Sequence, residues 1–241
     1  MAGRLYVVGD IHGCAGELEA LVGALPLARG DTLAFVGDYL DRGPAVRAVI
    51  DLLLALRARE GLTTVFLRGN HEDMCLAYFG RGGQWGESWM MNGAPATLAS
   101  YGVPLGLDGP PAAECLPPAH LEFLEGLLPW FIADRFLLVH AGIRPGRPLE
   151  QQVSEDVLWI REEFIHKPHD LPHTVVFGHT PRREIFVDLP YKIGIDTGCV
   201  YGGRLTAIEL TEGVVYQVAR GERQVRQRAF GAAWAPVSPR P

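Results

Sequence analysis

The chain has 241 residues, of which 48% are hydrophobic and 21% are charged, as in a folded globular protein. Its net charge of −6 and isoelectric point near 5.7 argue against broad binding to nucleic acid or to an anionic membrane. No apolar run approaches the roughly 20 residues that span a bilayer, and the chain enters a predicted strand at once, so we expect no signal peptide. The four cysteines lack C-x-x-C spacing, which favours reduced thiols in a cytoplasmic protein.

The first 80 residues alternate between short apolar runs and segments with helical periodicity. Strands are predicted at 5–8, 32–36 and 63–67, and helices at 17–25 and 44–60. Strand–loop–helix units in series are typical of a layered α/β domain. The sequence therefore predicts an α/β fold from its first third onward.

Residues 80–120 interrupt this alternation, because they are rich in glycine, proline and tryptophan and have little regular periodicity. We expect a loop-rich insertion near a site, with an ordinary surface excursion as the equal alternative. Beyond it, further elements are predicted: a helix at 121–128, strands at 135–139, 174–177 and 192–198, a helix or turn at 155–161, and a hairpin of 205–210 with 214–218.

The C-terminal segment carries five arginines against one glutamate from Arg220 onward and ends in prolines. Such charge-rich termini are usually loosely held, so we expect a solvated extension. The predicted organisation is one domain over residues 1–220, with the insertion at 80–120, followed by a tail over 221–241.

The stretch 37–44 places Asp38, Asp41 and Arg42 directly after an apolar strand. Carboxylates beside an arginine can hold a cation and an anionic substrate together. The alternative is a capped turn, with Asp41 as the helix N-cap and Pro44 near the first helical position. This stretch alone does not separate the two interpretations.

Metal-type ligands follow five predicted strands, and this pattern favours the functional interpretation. The residues are Asp10, His12, Asp38, Asn70, His140 and His179. Ligands of α/β sheets bind beyond the carboxyl ends of the strands. A mixed set of Asp, His and Asn suits Mn²⁺, Fe²⁺ or Zn²⁺. Two cations sharing Asp38 as a bridge would accommodate all six ligands.

Five motifs resemble those of the phosphoprotein phosphatase family of metallophosphoesterases. They are Gly-Asp-x-His-Gly at 9–13, Gly-Asp-x-x-Asp-Arg-Gly at 37–43, Gly-Asn-His-Glu at 69–72, His-Ala-Gly at 140–142 and Gly-His-Thr at 178–180. The resemblance implies a four-layer α/β fold, in which helices flank a two-sheet β-sandwich. It also implies a dinuclear site at the strand ends, with two divalent ions. Mn²⁺ is the preferred ion, and Fe²⁺ and Zn²⁺ are the alternatives.

The resemblance implies a role for each motif residue. Asp10, His12 and Asp38 would hold the first ion, and Asp38, Asn70, His140 and His179 the second. His71 would protonate the leaving oxygen with Asp41 hydrogen-bonded behind it. Arg42, Arg68 and Arg161 would bind phosphate oxygens. A hydroxide bridging the ions would attack phosphorus in line.

The preferred hypothesis is a protein serine/threonine phosphatase acting on a phosphorylated protein or a small phosphoester, with no nucleic-acid or membrane partner. The first alternative is a symmetrical dinucleoside tetraphosphate hydrolase, because 196–203 resembles those enzymes. Asp41 and Glu72 depart from their pattern and favour the phosphatase. The second alternative is an inactive scaffold or regulator with the same fold.

Several other residues receive smaller assignments. We expect an orienting role for Glu72 and a turn near the site at Asp196. Trp85, Trp89 and Asn92 line a substrate wall or, for the tryptophans, belong to the core. The remaining histidines are expected at the surface: His120, His166, His169 and His173.

Overall fold

Two β-sheets face each other in this protein, and helices cover their outer faces. The computed structural model describes residues 3–104 and 113–231. The six-stranded first sheet consists, from edge to edge, of β11 (Val225–Ala229), β10 (Val214–Ala219), β9 (Arg204–Glu209), β1 (Leu5–Val8), β2 (Thr32–Phe35) and β3 (Thr63–Phe66). The five-stranded second sheet consists of β4 (Trp130–Ala133), β5 (Phe136–Val139), β6 (Thr174–Phe177), β8 (Lys192–Gly194) and β7 (Phe186–Asp188).

Parallel pairs form one side of the first sheet and the middle of the second. In the first sheet β1 pairs with β2 and β2 with β3, all parallel, whereas β9, β10 and β11 join antiparallel. In the second sheet β5, β6 and β8 are parallel neighbours. The helices are α1 (Ala15–Ala24), α2 (Val46–Arg57), α3 (Asn70–Tyr78), α4 (Ala94–Ser100), α5 (Pro118–Glu125), α6 (Ser154–Trp159) and α7 (Glu162–His166).

The period-two alternation of the strands separates the layers. In β1, Val7 packs into the cluster between the sheets, while Tyr6 and Val8 pack against the helices that include α1 and α2. In β5, Leu138 faces the first sheet, whereas Leu137 packs with α6 and α7. This gives four layers in the order helix, sheet, sheet, helix, and the predicted fold class is confirmed.

The prediction of a solvated tail is wrong over Val225–Ala229, because this segment pairs with β10 as an edge strand. Residues 232–241 of the tail lie outside the described residues. The insertion is more ordered than its composition indicates, since it holds α4, the start of α5, and 3₁₀ turns at Gly86–Ser88, Met90–Asn92 and Ala113–Cys115. Its residues 105–112 also lie outside the described part.

Two histidines expected at the surface are buried. His120 is 4% exposed, and its ring nitrogens lie 3.0 Å from the Asp51 carboxylate and 2.8 Å from the Tyr101 hydroxyl. His169 is 2% exposed, and its ring stacks on Phe164. Polar partners and ring packing make these burials tolerable. None of the helices in the described part of the chain has the length and apolarity of a membrane-crossing segment.

Candidate dinuclear metal centre

The ligand candidates come together at one edge of the sandwich. Asp10, Asp38 and Asn70 lie just beyond the ends of β1, β2 and β3, and His140 and His179 lie just beyond β5 and β6. The carboxyl ends of parallel strands meet at one sheet edge, so the topology itself produces the convergence. All of these side chains are buried, including that of His12.

Asp38 lies in the middle of the set. Its Oδ2 atom is 3.3 Å from Nε2 of His12, and its Oδ1 atom is 3.5 Å from Nε2 of His140. The amide oxygen of Asn70 is 3.0 Å from His140 Nε2 and 3.0 Å from His179 Nδ1. Two groups with ligand atoms within 4.8 Å of one another share Asp38: His12, Asp38 and His71, and Asp38, His140 and His179. This arrangement suits a bridging carboxylate.

The protonation of His140 shows why a cation fits here. Its Nδ1 atom lies 2.9 Å from the Val36 carbonyl, so this nitrogen donates the hydrogen bond. Burial lowers the pKa of His140, which favours a neutral ring whose Nε2 turns a lone pair toward Asp38. Two electron-rich atoms at this distance repel each other unless a positive charge lies near both. Neutral imidazole is also the form that binds metals.

The carboxylates of the site support the same conclusion. The buried Oδ1 atom of Asp10 has no hydrogen-bond partner among the described residues. Burial, followed by the charges of Asp196 and Asp38, raises the pKa of Asp10 well above its usual range. A divalent cation would satisfy the oxygen and neutralise the crowded charges. Carboxylate, amide and imidazole donors without thiolate are compatible with a divalent ion such as Mn²⁺, Fe²⁺ or Zn²⁺.

The backbone is strained where it presents these ligands. Asp38 and His179 have φ angles of 54° and 63°, in the left-handed region that costs a residue other than glycine about 1–3 kcal/mol. Close approach also explains two motif glycines. A Cβ atom at Gly69 would collide with Oδ1 of Asp38, and one at Gly178 with Oδ1 of Asp10.

His71 and Asp41 form the hydrogen-bonded pair predicted from the sequence. His71 Nδ1 lies 2.6 Å from Asp41 Oδ2, while its Nε2 atom faces the centre at 4.0 Å from Asp38 Oδ2. Trp89 Nε1 also donates to Asp41 Oδ2, at 2.9 Å, and the Thr97 hydroxyl donates to Oδ1, at 2.6 Å. Asp41 is therefore not the helix N-cap of the alternative interpretation, since α2 begins at Val46.

Glu72 organises the loop that carries Asp38. Its carboxylate accepts backbone N–H groups from Asp38, Tyr39, Leu40 and Gly69, at 2.8 to 3.0 Å. Burial, followed by the charge of Asp38, raises the pKa of Glu72 to about 7. These bonds tie the loops after β2 and β3 together, which agrees with the predicted orienting role.

Two of the three predicted arginines lie near the centre. Arg42 Nη1 is 2.6 Å from Nε2 of His12, and its guanidinium carbon is 5.5 Å from the ring centroid of Tyr201. Burial and the charge of His140 lower the pKa of His179, and the charge of Arg161 lowers it further, so Arg161 lies near this ring. A guanidinium at such a position can bind phosphate oxygens.

Arg68 has a different environment. Its guanidinium lies 3.5 Å from the Asp73 carboxylate and 3.3 Å from the Glu125 carbonyl. It lines a cavity of about 230 Å³ together with Ser154 and Leu158. These contacts favour a structural role, and phosphate binding by Arg68 stays a prediction.

Three residues of the site have contacts that the sequence did not predict. Trp89 is fully buried and Thr97 lies on α4, and both bind Asp41, whereas Trp85 is 49% exposed. Tyr201 is 60% exposed beside Arg42. The tryptophans of the insertion indicated a role near the site, but no nearby motif identified Asp41 as the partner of Trp89. The predicted turn at Asp196 is present, since its Oδ1 accepts the backbone N–H of Gly198.

The calcineurin-like phosphoesterase model matches residues 3–207, which include every predicted ligand. The chain belongs to this family. The predicted resemblance is thereby confirmed, and this calcineurin-like phosphoesterase is a hydrolase whose Asp/His groups are compatible with the dinuclear divalent metal site that the family uses.

The relatives of this phosphoesterase have two kinds of name. It is 31% identical over 249 residues to the asymmetrical bis(5'-nucleosyl)-tetraphosphatase PrpE of Geobacillus thermodenitrificans, covering 87% of this chain and 91% of that protein. It is 34% identical over 216 residues to serine/threonine-protein phosphatase 1 of Salmonella typhimurium, covering 84% of this chain and 90% of that protein.

Solved structures agree with this family membership. A crystal structure described as a "putative diadenosine tetraphosphatase" has a TM-score of 0.69 and 29% identity, covering 91% of this chain and 95% of that one. A serine/threonine phosphatase from Saccharomyces cerevisiae has a TM-score of 0.55 at 13% identity, over 98% of this chain and 82% of that one. The second match shows the fold alone.

Proposed function

We propose that this phosphoesterase hydrolyses dinucleoside tetraphosphates asymmetrically, giving a nucleoside monophosphate and a nucleoside triphosphate. The proposal has two supports, the PrpE relatives and the exposed ring of Tyr201 beside Arg42 at the rim of the centre. The sequence motifs pointed to symmetrical cleavage as the alternative, whereas the tetraphosphatases among these relatives are named as asymmetrical.

The observation that carries the substrate class is the position of Tyr201. Its ring is 60% exposed, and the charges of Arg42, Asp196 and Asp38 all influence its pKa, which burial raises. An exposed aromatic ring within electrostatic reach of the metal ligands offers a stacking surface for a nucleobase. Base–aromatic stacking contributes about 1–3 kcal/mol.

Each residue of the site has a role in the proposed reaction. Asp10, His12 and Asp38 would hold one divalent ion, and Asp38, Asn70, His140 and His179 the other. When bound, these ions supply an activated water and neutralise charge on the phosphoryl oxygens. Arg42 and Arg161 orient the phosphate chain. His71 transfers a proton from Nε2 to the leaving oxygen, while Asp41 keeps the ring oriented through Nδ1.

A protein serine/threonine phosphatase is the second candidate. The observation that favours it is the fully braced pair of His71 and Asp41. A serine alkoxide is a strongly basic leaving group and needs a proton donor, whereas a nucleotide phosphate leaves more readily. The same residues make an inactive scaffold the least supported candidate, since acid, ligands and arginines are all present.

One assay series tests the proposal. The protein is loaded with Mn²⁺ and given a dinucleoside tetraphosphate, a phosphoserine peptide and an aryl phosphate in parallel, with the nucleotide products separated by chromatography. We expect the largest kcat/KM for the tetraphosphate, with mono- and triphosphate products in equal amounts. Two diphosphates as products, or a larger kcat/KM for the phosphopeptide, would contradict it.

Variants of Tyr201 test whether its ring binds the nucleobase. Tyr201→Phe keeps the ring and should change KM for the tetraphosphate by less than about threefold, whereas Tyr201→Ala removes the stacking surface and should raise it about tenfold or more. Neither variant should change the KM for the aryl phosphate by a similar factor. Equal effects on both substrates would place Tyr201 outside nucleobase binding.

A further inference from the structure

Two buried cysteines lie behind the metal centre and have no part in the proposed chemistry. Cys14 directly precedes α1, and Cys199 opens the 3₁₀ turn Cys199–Tyr201. They are 1% and 2% exposed. Their sulfur atoms and a carboxylate oxygen of Glu17 all lie within 4.8 Å of one another. Two distant segments of the chain thus bring a pair of free thiols together.

The surroundings of this thiol pair argue against a further metal site, separate from the dinuclear centre. Glu17 Oε1 accepts hydrogen bonds from Arg220 Nη1, at 2.6 Å, and from the backbone N–H of Gly221, at 2.7 Å. The carboxylate is therefore already neutralised, and the adjacent guanidinium opposes a cation. Two adjacent thiols can instead be joined in a disulfide by a two-electron oxidant.

We propose that Cys14 and Cys199 are a modification site, at which a peroxide converts the thiol pair into an intramolecular disulfide. The sulfur of one cysteine attacks a peroxide oxygen, so that an S–O bond forms, the O–O bond breaks and the first water leaves. The sulfur of the other cysteine then attacks the sulfenic sulfur, forming the S–S bond and releasing the second water. The two sulfurs lose two electrons, the peroxide gains them, and both thiol protons end in water.

A cavity lies next to the thiol pair. A cavity of about 200 Å³ is lined by Gly13 and Ala15, the residues on either side of Cys14, and by Glu17 and Arg220. Hydrogen peroxide is close to water in size and fits such a space.

The disulfide would act on the metal centre through short connections. Cys14 follows the predicted ligand His12 by two residues, and its thiol donates to the His12 carbonyl at 3.6 Å. Cys199 follows the turn in which Asp196 accepts the N–H of Gly198. Forming an S–S bond of about 2.0 Å draws these two segments together. The ring of His12 then shifts relative to Asp38, and activity falls.

The test combines peptide mapping with activity. Mn²⁺-loaded and metal-free protein are treated with hydrogen peroxide, free thiols are alkylated, and the digested peptides are identified by mass spectrometry. We expect a linked peptide pair containing Cys14 and Cys199 in both samples. Aryl phosphatase activity of the loaded protein should fall at least about tenfold and return when a dithiol reductant is added.

Matched variants assign the effect. Cys199→Ala should keep its activity in peroxide, whereas Cys115→Ala, which changes a half-buried cysteine outside the pair, should lose activity as the original protein does. No linked peptide in the original protein would overturn the modification site, whether or not any variant folds. A linked peptide with unchanged activity, or a Cys199→Ala protein as sensitive as the original, would overturn the coupling to the centre. The mapping does not depend on which phosphoester is the substrate.

Discussion

The acid side and the metal side of the site satisfy their polar atoms in different ways. On the acid side, Asp41 accepts hydrogen bonds from His71, Trp89 and Thr97, so that every bond has a donor and an acceptor. On the metal side, Asp38 and the amide oxygen of Asn70 face nitrogens of His140 and neighbouring rings at 3.0 to 3.5 Å. There, the unprotonated Nε2 atom of His140 faces two acceptors, Asp38 Oδ1 and the amide oxygen of Asn70.

This difference shows how proton donation and metal binding are divided within the site. The acid pair is oriented by the polypeptide alone, whereas the metal side brings together carboxylate, amide and imidazole atoms that a cation would bind. Changes on the metal side should therefore alter metal content and activity together. Changes on the acid side should alter activity at unchanged metal content.

The largest effect is expected at the shared carboxylate. Asp38→Asn removes a bridging charge, so kcat should fall about 10³-fold or more, and bound Mn²⁺ per chain should drop when it is counted by elemental analysis. Asp51→Asn, which changes a carboxylate with 59% side-chain exposure away from the centre, is the matched control and should keep both values. Full Mn²⁺ content with activity within tenfold would show that Asp38 is not a bridge.

Replacing the acid should separate chemistry from metal binding. His71→Asn should lower kcat for an aryl phosphate about 10²- to 10⁴-fold, because general acids contribute factors of this size. The Mn²⁺ content should stay the same. His166→Asn, at an exposed histidine, controls for the chemical change. Activity within about threefold of the original protein would rule out His71 as the proton donor.

The convergence of the candidate ligands could be predicted from the sequence, because it follows from local rules. Asp38 and Asn70 each come directly after a short apolar strand and a glycine, and parallel strands bring such positions to one edge. In the second sheet, His179 follows β6 and Gly178, whereas His140 follows β5 directly. Strand ends, glycines and ligand types are all local features, and their convergence needs only the sheet order.

The hydrogen bonds that hold Asp41 behind His71 could not be predicted from the sequence, because they join distant segments of the chain. Trp89 and Thr97 reach Asp41 across 48 and 56 residues of chain. No periodicity in residues 80–120 indicated this packing. The edge strand Val225–Ala229 was missed for another reason. Its side chains are mostly exposed and polar, so it lacks the apolar alternation that identifies a half-buried strand.

A smaller effect is expected from the insertion that braces Asp41. Trp89→Phe removes one N–H donor to the carboxylate but keeps an aromatic ring in the core. Hydrogen bonds to charged groups contribute about 1.5–3 kcal/mol, so kcat should fall about tenfold or more at unchanged Mn²⁺ content. Trp85→Phe makes the same chemical change at a half-exposed ring and should leave kcat within twofold. Equal kcat values for the two variants would show that the Trp89 bond does not position the acid pair.

The smallest effect is expected at Arg68, where the sequence prediction and the structural contacts disagree most. Its guanidinium binds Asp73 and the Glu125 carbonyl, so Arg68→Ala should change kcat/KM by less than about threefold and stability by roughly 0–1 kcal/mol, as for a partly exposed ion pair. Arg42→Ala is the comparison, because it removes a charged donor beside His12 and should lower kcat/KM about 10- to 100-fold. Comparable losses in both variants, measured with the same substrate, would mean that Arg68 leaves Asp73 to bind the phosphate. The family motif would then describe this arginine better than its contacts do.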